Sequence, residues 1–355
     1  MELGGDYSLS LSQLTVKDNN IFRYLDDCSN AIYFDSGRNA LKHLIKKLER
    51  KTKVLLPEFI CESVNNCFDR ETIDFYKIKS DFTIDIDDLE QRINEDTDII
   101  FLMHYFGAVQ PAETLKRIKV AARDNNCIII EDTTHSIFSE VSTIGDYQIC
   151  SLRKWMPIPS GGVLYSVKKD MFDVFENLAY RKNTDNDRAY GMILKDLFLN
   201  YGLDCNPFYR KIFAECEERL DESCEINLMS DLTAFMASCV DTDTLRRTRI
   251  SNYKRLEKTL AKIGIFPAIR LGCNECPLVL PIRVGDRNAF RSYLIENKAY
   301  CAVHWPFDEL YPEQRPFARE CADYLISLPI DQRYGNEEID YLASLICDYM
   351  EKTRC

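Results

Sequence analysis

Residues 149–162 read ICSLRKWMPIPSGG: an apolar strand end, a serine, then Lys154 and a turn, stiffened by two prolines, that enters a glycine pair. A lysine that only faces water needs no such support, whereas one that presents its amine to a single atom does. Taken alone, a lysine after a strand is most often a solvated surface group. Asp132 closes a second apolar run, CIIIED (127–132). Ligands of parallel α/β sheets bind beyond the carboxyl ends of the strands, so an acid there points into the cleft. A lone aspartate in that position is still more often a helix cap or a surface acid. His135 follows three residues on, in EDTTHS. It can hydrogen-bond a ligand oxygen, or be an ordinary satisfied core histidine.

Ser36, Gly37 and Arg38 open a helical pattern directly after the run AIYFD. A serine cap with glycine in the first turn leaves free backbone N–H groups at the positive end of the helix dipole, which suits a phosphate. Most helices are capped this way with no ligand, and Arg38 adds only a nearby cation. The four elements carry more together: a phosphate-holding helix start, an acid at a strand end, a lysine beyond a later strand, and Gly161-Gly162 entering the next strand. A cofactor with a phosphate, a basic ring nitrogen and an aldehyde requires all of them. Pyridoxal phosphate is that cofactor. Lysine joins its aldehyde as a Schiff base and aspartate keeps the pyridine nitrogen protonated.

The elements that must position these groups alternate. KVLLPEF (53–59), IDFYKI (73–78), DIIFLMHYF (98–106), CIIIED (127–132), YQICSL (147–152) and GGVLYS (161–166) read as strands, several apolar throughout, as befits strands covered on both faces. Amphipathic helices are expected between them, over 36–50 and 112–126. Alternation of this kind predicts an α/β domain with a mostly parallel sheet sandwiched by helices. From residue 229 the pattern changes to a long helical stretch (230–264), LVLPIRV (278–284), a helix near 287–297, a short strand around 300–303 and a C-terminal helix over 337–353. We therefore divide the chain into a large α/β domain with an N-terminal arm (1–228) and a smaller α+β domain (229–355), packed around a shared cleft.

At 355 residues the chain can bury a sizeable core, and its 46% hydrophobic and 29% charged residues are ordinary for a globular enzyme. A net charge of −12 argues against nucleic acid or an anionic membrane as the main partner. No apolar run reaches the ~20 residues of a membrane span. The N-terminus lacks the pattern of a signal peptide, so a cytoplasmic protein with reduced cysteines is expected from its 15 scattered cysteines. Cys273 and Cys276 have CxxC spacing, but no second pair and no clustered histidines accompany them, so no metal site is expected.

With these residues in hand, the chain resembles the fold-type-I, pyridoxal-phosphate-dependent sugar aminotransferases of the DegT/StrS type from about residue 30 to its end. FDSGRNALKHL (34–44), VLLPEFICESV (54–64), IIIEDTTHS (128–136), SLRKWMPIPSGG (151–162), CAVHWPF (301–307) and ISLPIDQRYG (326–335) carry the likeness, together with the stretch 84–115. The resemblance implies a seven-stranded type of sheet and a role for each matching position. Asp132 pairs with the ring nitrogen, His135 contacts the ring hydroxyl, Lys154 forms the Schiff base and Ser151 binds phosphate. The sequence departs from the family in three places. Ser151 stands three residues before the lysine where the family has five. The ring-stacking aromatic falls on Cys61, with Phe59, on the same strand face, as the alternative. The asparagine that the family supplies from a neighbouring subunit is replaced by CEINLMS (224–230), where Asn227 and Ser230 are the nearest substitutes.

The resemblance implies a homodimeric aminotransferase that moves an amino group from an amino acid, glutamate by expectation, to a nucleotide-linked keto-sugar. His304 is expected toward the acceptor, and Arg333, whose planar fork suits a carboxylate or phosphate, toward a substrate anion. Each has a structural alternative: Arg333 can pair with Asp331 or a helix end, and His304 can pack on Trp305. Other readings are a small phosphorylated ketone as acceptor, another pyridoxal-phosphate reaction, or a non-catalytic protein that keeps the fold. Retention of both Lys154 and Asp132 speaks against the last. No G-x-G-x-x-G follows a strand, which disfavours a nicotinamide-dependent dehydrogenase.

Overall fold

The computed structural model describes residues 2–26, 30–48, 53–140, 143–167, 186–307 and 315–354. The strands are β1 (Leu3–Gly4), β2 (Asn30–Phe34), β3 (Lys53–Pro57), β4 (Ile73–Tyr76), β5 (Thr97–Met103), β6 (Ile128–Asp132), β7 (Tyr147–Ser151), β8 (Gly162–Ser166), β9 (Leu280–Arg283), β10 (Ala299–Tyr300) and β11 (Leu325–Leu328). The helices are α1 (Ile21–Tyr24), α2 (Gly37–Leu48), α3 (Glu62–Asn65), α4 (Ile86–Arg92), α5 (Ala112–Asp124), α6 (Asn186–Tyr201), α7 (Asn206–Glu222), α8 (Asp231–Ser238), α9 (Thr242–Ala261), α10 (Arg287–Glu296), α11 (Pro316–Tyr324) and α12 (Asn336–Arg354). The end of the helix expected over 36–50 lies outside the described residues.

Nearly every residue of β3, β5, β6, β7 and β8 is buried, because helices cover the sheet on both faces. The seven-stranded sheet has the order β2-β8-β7-β6-β5-β3-β4. Its strands are parallel except β8, which runs antiparallel to both β2 and β7. That one reversal builds the site. β6 and β7 end at Asp132 and Ser151, and β8 begins at the same edge, with Gly162 opposite both Ser151 and Phe34. One sheet edge thus collects the ends of three strands and the start of a fourth.

Helices pack by their apolar stripes. α5 buries Leu115, Ile118 and Ala122, and α2 buries Ala40, Leu41, His43 and Leu44. The helical stretch expected over 230–264 is two helices. Asp241 interrupts it, its carboxylate accepting from the Thr244 N–H at 2.6 Å to cap α9. A second core gathers apolar residues between 253 and 346 around the antiparallel pair β9–β11, and Leu3 of the N-terminal arm is part of it. The arm is fixed there by parallel pairing of β1 with β10. Among the described residues no helix is long and apolar enough to cross a membrane.

Candidate active site

Lys154 ends a single 3-10 turn, Leu152–Lys154, that follows β7 directly. The turn is held from both sides. Leu152 N–H donates to Gly161 O at 3.0 Å, and Gly161 N–H to Asp35 O at 2.5 Å, so the proline segment returns to the strand edge. Trp155 is fully buried, and its Nε1–H donates to Thr134 O at 2.7 Å. Its carbonyl accepts from Gln332 Nε2 at 2.7 Å and from Tyr7 Oη at 3.2 Å. Arg249, 1% exposed, lies over the Trp155 ring at 4.6 Å and donates to Gln332, Leu278 and Tyr7. Residues from the N-terminal arm, α9 and the segment after β11 therefore converge on the residue beside the lysine. Pinned on this frame, the Lys154 amine stands 3.3 Å from His135 Nε2 and 5.7 Å from the centre of the Trp305 ring.

His135 is buried between two aromatic rings, Phe106 at 5.4 Å and 27° and Trp305 at 5.5 Å and 17°. Its Nδ1 accepts from Phe106 N–H at 3.3 Å, so the proton of the neutral ring sits on Nε2, facing the Lys154 amine. Burial, with the charge of Lys154 nearby, holds His135 well below the usual histidine range. Asp132 is 6% exposed, and its Oδ1 accepts from Thr134 N–H at 2.8 Å. Burial pushes its carboxyl up, against the opposing pull of Thr134, Lys154 and His104. A cationic ring nitrogen beside it would reverse that cost, so Asp132 fits a protonated pyridine. Its neighbour Glu131 points to the opposite face, accepting from Ile144 and Gly145 N–H at 2.9 and 2.7 Å and from His104 at 2.8 Å. His104 Nδ1 accepts from Gln110 N–H at 3.1 Å, which leaves Nε2–H as the donor to that carboxylate. This buried pair fixes the strand that carries Asp132. Sequence reading missed it, although a histidine inside the apolar run DIIFLMHYF requires a polar partner.

The phosphate cradle is legible in missing side chains. Ser36 Oγ accepts from Asn39 N–H at 3.1 Å and caps α2, and the Gly37 and Arg38 amides of the first turn have no intrahelical partner. A Cβ on Gly37 would stand 3.2 Å from Ser151 Cβ, and one on Gly162 only 2.1 Å from the Ser36 carbonyl carbon. The start of α2 is thus pressed onto the ends of β7 and β8, which brings Ser36, Gly37 and Ser151 together at the edge that carries Lys154. These residues fit the phosphate of pyridoxal phosphate, which would set Lys154 at its aldehyde, Asp132 at its ring nitrogen and His135 Nε2–H toward its ring oxygen.

Other expected residues are placed differently. Arg38 turns away from the cradle, donating to Leu220 O and Asp221 Oδ1, both at 2.8 Å, and so ties α2 to the end of α7. Phe59 is 1% exposed inside an aromatic cluster, with Trp305 at 4.9 Å and Tyr105 at 5.4 Å. Cys61 precedes α3, its Sγ accepting from Ser63 Oγ at 3.1 Å. The aromatic that meets both Lys154 and His135 is Trp305, which sequence reading considered only as packing for His304. Asn227 O accepts from Asp35 N–H of the same chain at 3.1 Å, which sets it beside its own α2, while Ser230 caps α8 through Thr233 N–H at 3.0 Å. His304 Nδ1 meets Ser327 Oγ at 2.8 Å, and burial pushes His304 down to about 3. Arg333 grips both oxygens of Asp331 at 2.7 and 2.8 Å and lies over the Tyr7 ring at 4.3 Å. Lys154, His304 and Arg333 share a cavity of about 280 Å³, walled by arm residues 4–7 and by α6 and α7.

Residues 18–155 match the DegT/DnrJ/EryC1/StrS aminotransferase family. A dTDP-3-amino-3,6-dideoxy-alpha-D-galactopyranose transaminase from Aneurinibacillus thermoaerophilus is 24% identical over 284 residues, which span 76% of this chain and 70% of that protein. The aminotransferase TlmJ from Streptoalloteichus hindustanus superposes with a TM-score of 0.70 at 13% identity over 100% of both chains. DesV from S. venezuelae superposes with a TM-score of 0.63 at 17% identity over 98% of this chain and 91% of its own. These two likenesses carry the fold, and the family match covers the strands and turn that position Asp132, His135 and Lys154. Residues 18–155 thus form a DegT/DnrJ/EryC1/StrS aminotransferase family domain, and the chain is a pyridoxal-phosphate-dependent aminotransferase of fold type I.

Proposed function

We propose that the protein transfers an amino group from L-glutamate to a nucleotide-linked keto-sugar, working in the cytoplasm as a homodimer. The observation that carries this reading is the placement of the Lys154 amine against His135, beside buried Asp132 and the glycine-lined start of α2. The relative from Aneurinibacillus thermoaerophilus, a transaminase of a dTDP-linked sugar, supports the acceptor class. Bound here, pyridoxal phosphate supplies an aldehyde and an electron-withdrawing ring. Asp132 keeps the ring nitrogen protonated, His135 donates Nε2–H to the ring oxygen, and the Lys154 amine takes the proton from the donor's Cα as general base. Trp305 and Phe106 shield this exchange from water on either side of His135.

The test is a pair of half-reactions. Cofactor-loaded protein is mixed with L-glutamate, L-glutamine and L-aspartate in turn, and its visible spectrum is followed. The aminated protein is then offered dTDP-linked keto-hexoses and phosphorylated three-carbon ketones. Recovery of the original spectrum with the sugar alone supports the proposal, and recovery with the small ketone alone refutes it.

A further inference from the structure

The cavity that holds Lys154 is edged by a continuous chain of charge. Arg188, at the start of α6, donates to Asp6 Oδ1 of the N-terminal arm at 2.5 Å and also to Glu217 Oε1 of α7. Arg153, adjacent to the lysine, grips both oxygens of Glu217 at 2.5 and 3.1 Å. All four residues line the same cavity. Two guanidiniums and two carboxylates cancel in charge. Arg333 is cancelled by Asp331. Arg249 has no carboxylate partner among the described residues and gives its donors to the neutral oxygens of Gln332, Leu278 and Tyr7. Among the described residues lining the cavity, Lys154 and Arg249 are the basic groups left outside any ion pair.

The balanced charge of the Asp6–Arg188–Glu217–Arg153 chain itself selects the kind of ligand that it takes. An incoming phosphate or carboxylate would have to displace Asp6 or Glu217 before it could engage Arg153 or Arg188, at the cost of two formed charge-assisted bonds. A hydroxyl displaces nothing. It donates to a carboxylate lone pair and accepts from a spare guanidinium N–H. The side chains of Asp6 and Glu217 are 43% and 44% exposed, so their oxygens remain open to such a partner. Arg188 is only 10% exposed and fixes the spacing between the two acids. We infer that the Asp6–Arg188–Glu217–Arg153 chain reads the ring hydroxyls of the acceptor and makes these four residues specificity determinants. The inference rests on the acceptor being a nucleotide-linked keto-sugar.

The probes are dTDP-linked hexoses that carry a hydroxyl in place of the reacting carbonyl, and so bind without turnover, and a series of them lacking one ring hydroxyl at a time. Calorimetry gives the affinity of each for cofactor-loaded wild type, Asp6→Asn and Glu217→Gln, with melting curves to confirm the fold. The Asp6 side chain is 43% exposed, so its variant keeps the test available if Glu217→Gln fails to fold. In wild type, loss of the hydroxyl that is read should weaken binding about tenfold or more, as expected for a hydrogen bond to a charged group. In Asp6→Asn or Glu217→Gln that preference should fall toward unity. Equal binding of the whole series to wild type, or a preference unchanged in the variants, overturns the inference and leaves the sugar reading standing. If wild type binds no member while accepting a non-sugar ketone, both readings fall together.

Discussion

His135 Nε2 stands 3.3 Å from Lys154 Nζ, and because His135 Nδ1 is committed to the Phe106 N–H, the ring's one proton points at the amine. The histidine thus presents a donor, held neutral by burial, at the place where the cofactor's ring oxygen is expected. Borohydride reduction of cofactor-loaded protein should abolish its visible band and leave the label on the peptide that contains Lys154. A label on any other lysine would remove Lys154 from the centre of the site.

Asp132→Asn is expected to fold, since asparagine keeps an acceptor for the Thr134 N–H. It cannot stabilise a cationic ring nitrogen. The half-reaction with amino donor should slow by orders of magnitude while the melting temperature changes little. Near-normal turnover in this variant would show that the ring nitrogen has another partner.

Gly162→Ala addresses the cradle. Its Cβ would fall 2.1 Å from the Ser36 carbonyl carbon, closer than side-chain carbons approach backbone. Either α2 shifts or the strand edge does, at a cost of about 1–3 kcal/mol as for other overpacked sites. Cofactor affinity, read by spectral titration, should drop more than tenfold. Unchanged affinity would mean that the start of α2 does not hold the phosphate.

Acid should unfold the protein in a defined window. Folded His135 and His304 resist protonation, His304 down to about pH 3, whereas unfolded histidine titrates near 6.5. Below pH 6.5 the unfolded chain takes up protons that the folded one refuses. Their contribution is therefore intact above about pH 6.5 and is lost as pH falls through that value toward 3. Well below pH 6.5 and above about pH 3, His304 adds a slope of up to about 1.4 kcal/mol per pH unit, and His135 acts in the same direction. Urea unfolding between pH 4 and 7 should show a shallower dependence in His304→Gln, and an unaltered slope would contradict the assignment.

A subunit partner is expected to complete the site. Sedimentation of the loaded protein should give twice the chain mass. A fully active monomer would refute this.

The strands ending at Asp132 and Ser151 were readable because both faces are covered, which writes an unbroken apolar run into the sequence. β2 was not recognised as a strand: NAIYF is half-exposed at the sheet edge and alternates too weakly. β11 was hidden because LISL follows α11 with no turn residue between them. Within the site, the legible residues were those whose backbone position fixes their direction, namely the ends of β6 and β7 and the start of α2. Arg38 and Arg333 were harder, since a long side chain can choose its partner, and Asp221 and Asp331 claimed them. The Asp6–Arg188–Glu217–Arg153 chain could not be seen from sequence at all, because its members come from the arm, two helices and a turn that only folding brings together.

The pairing of β1 with β10 has a consequence for how the chain is made. Leu3 lies opposite Ala299, so the arm leaves the ribosome roughly 300 residues before its partner strand exists. At ~5–20 residues per second, that is a wait of about 15–60 s, during which an apolar residue of the second core stays unpaired. The sheet can assemble in that interval, because β2 to β8 are all complete by residue 166. The cavity wall that contains Asp6 and Tyr7 cannot. A nascent chain halted before residue 299 should hold a formed central sheet and a protease-sensitive arm, and competence for substrate would arrive only once β10 has been made.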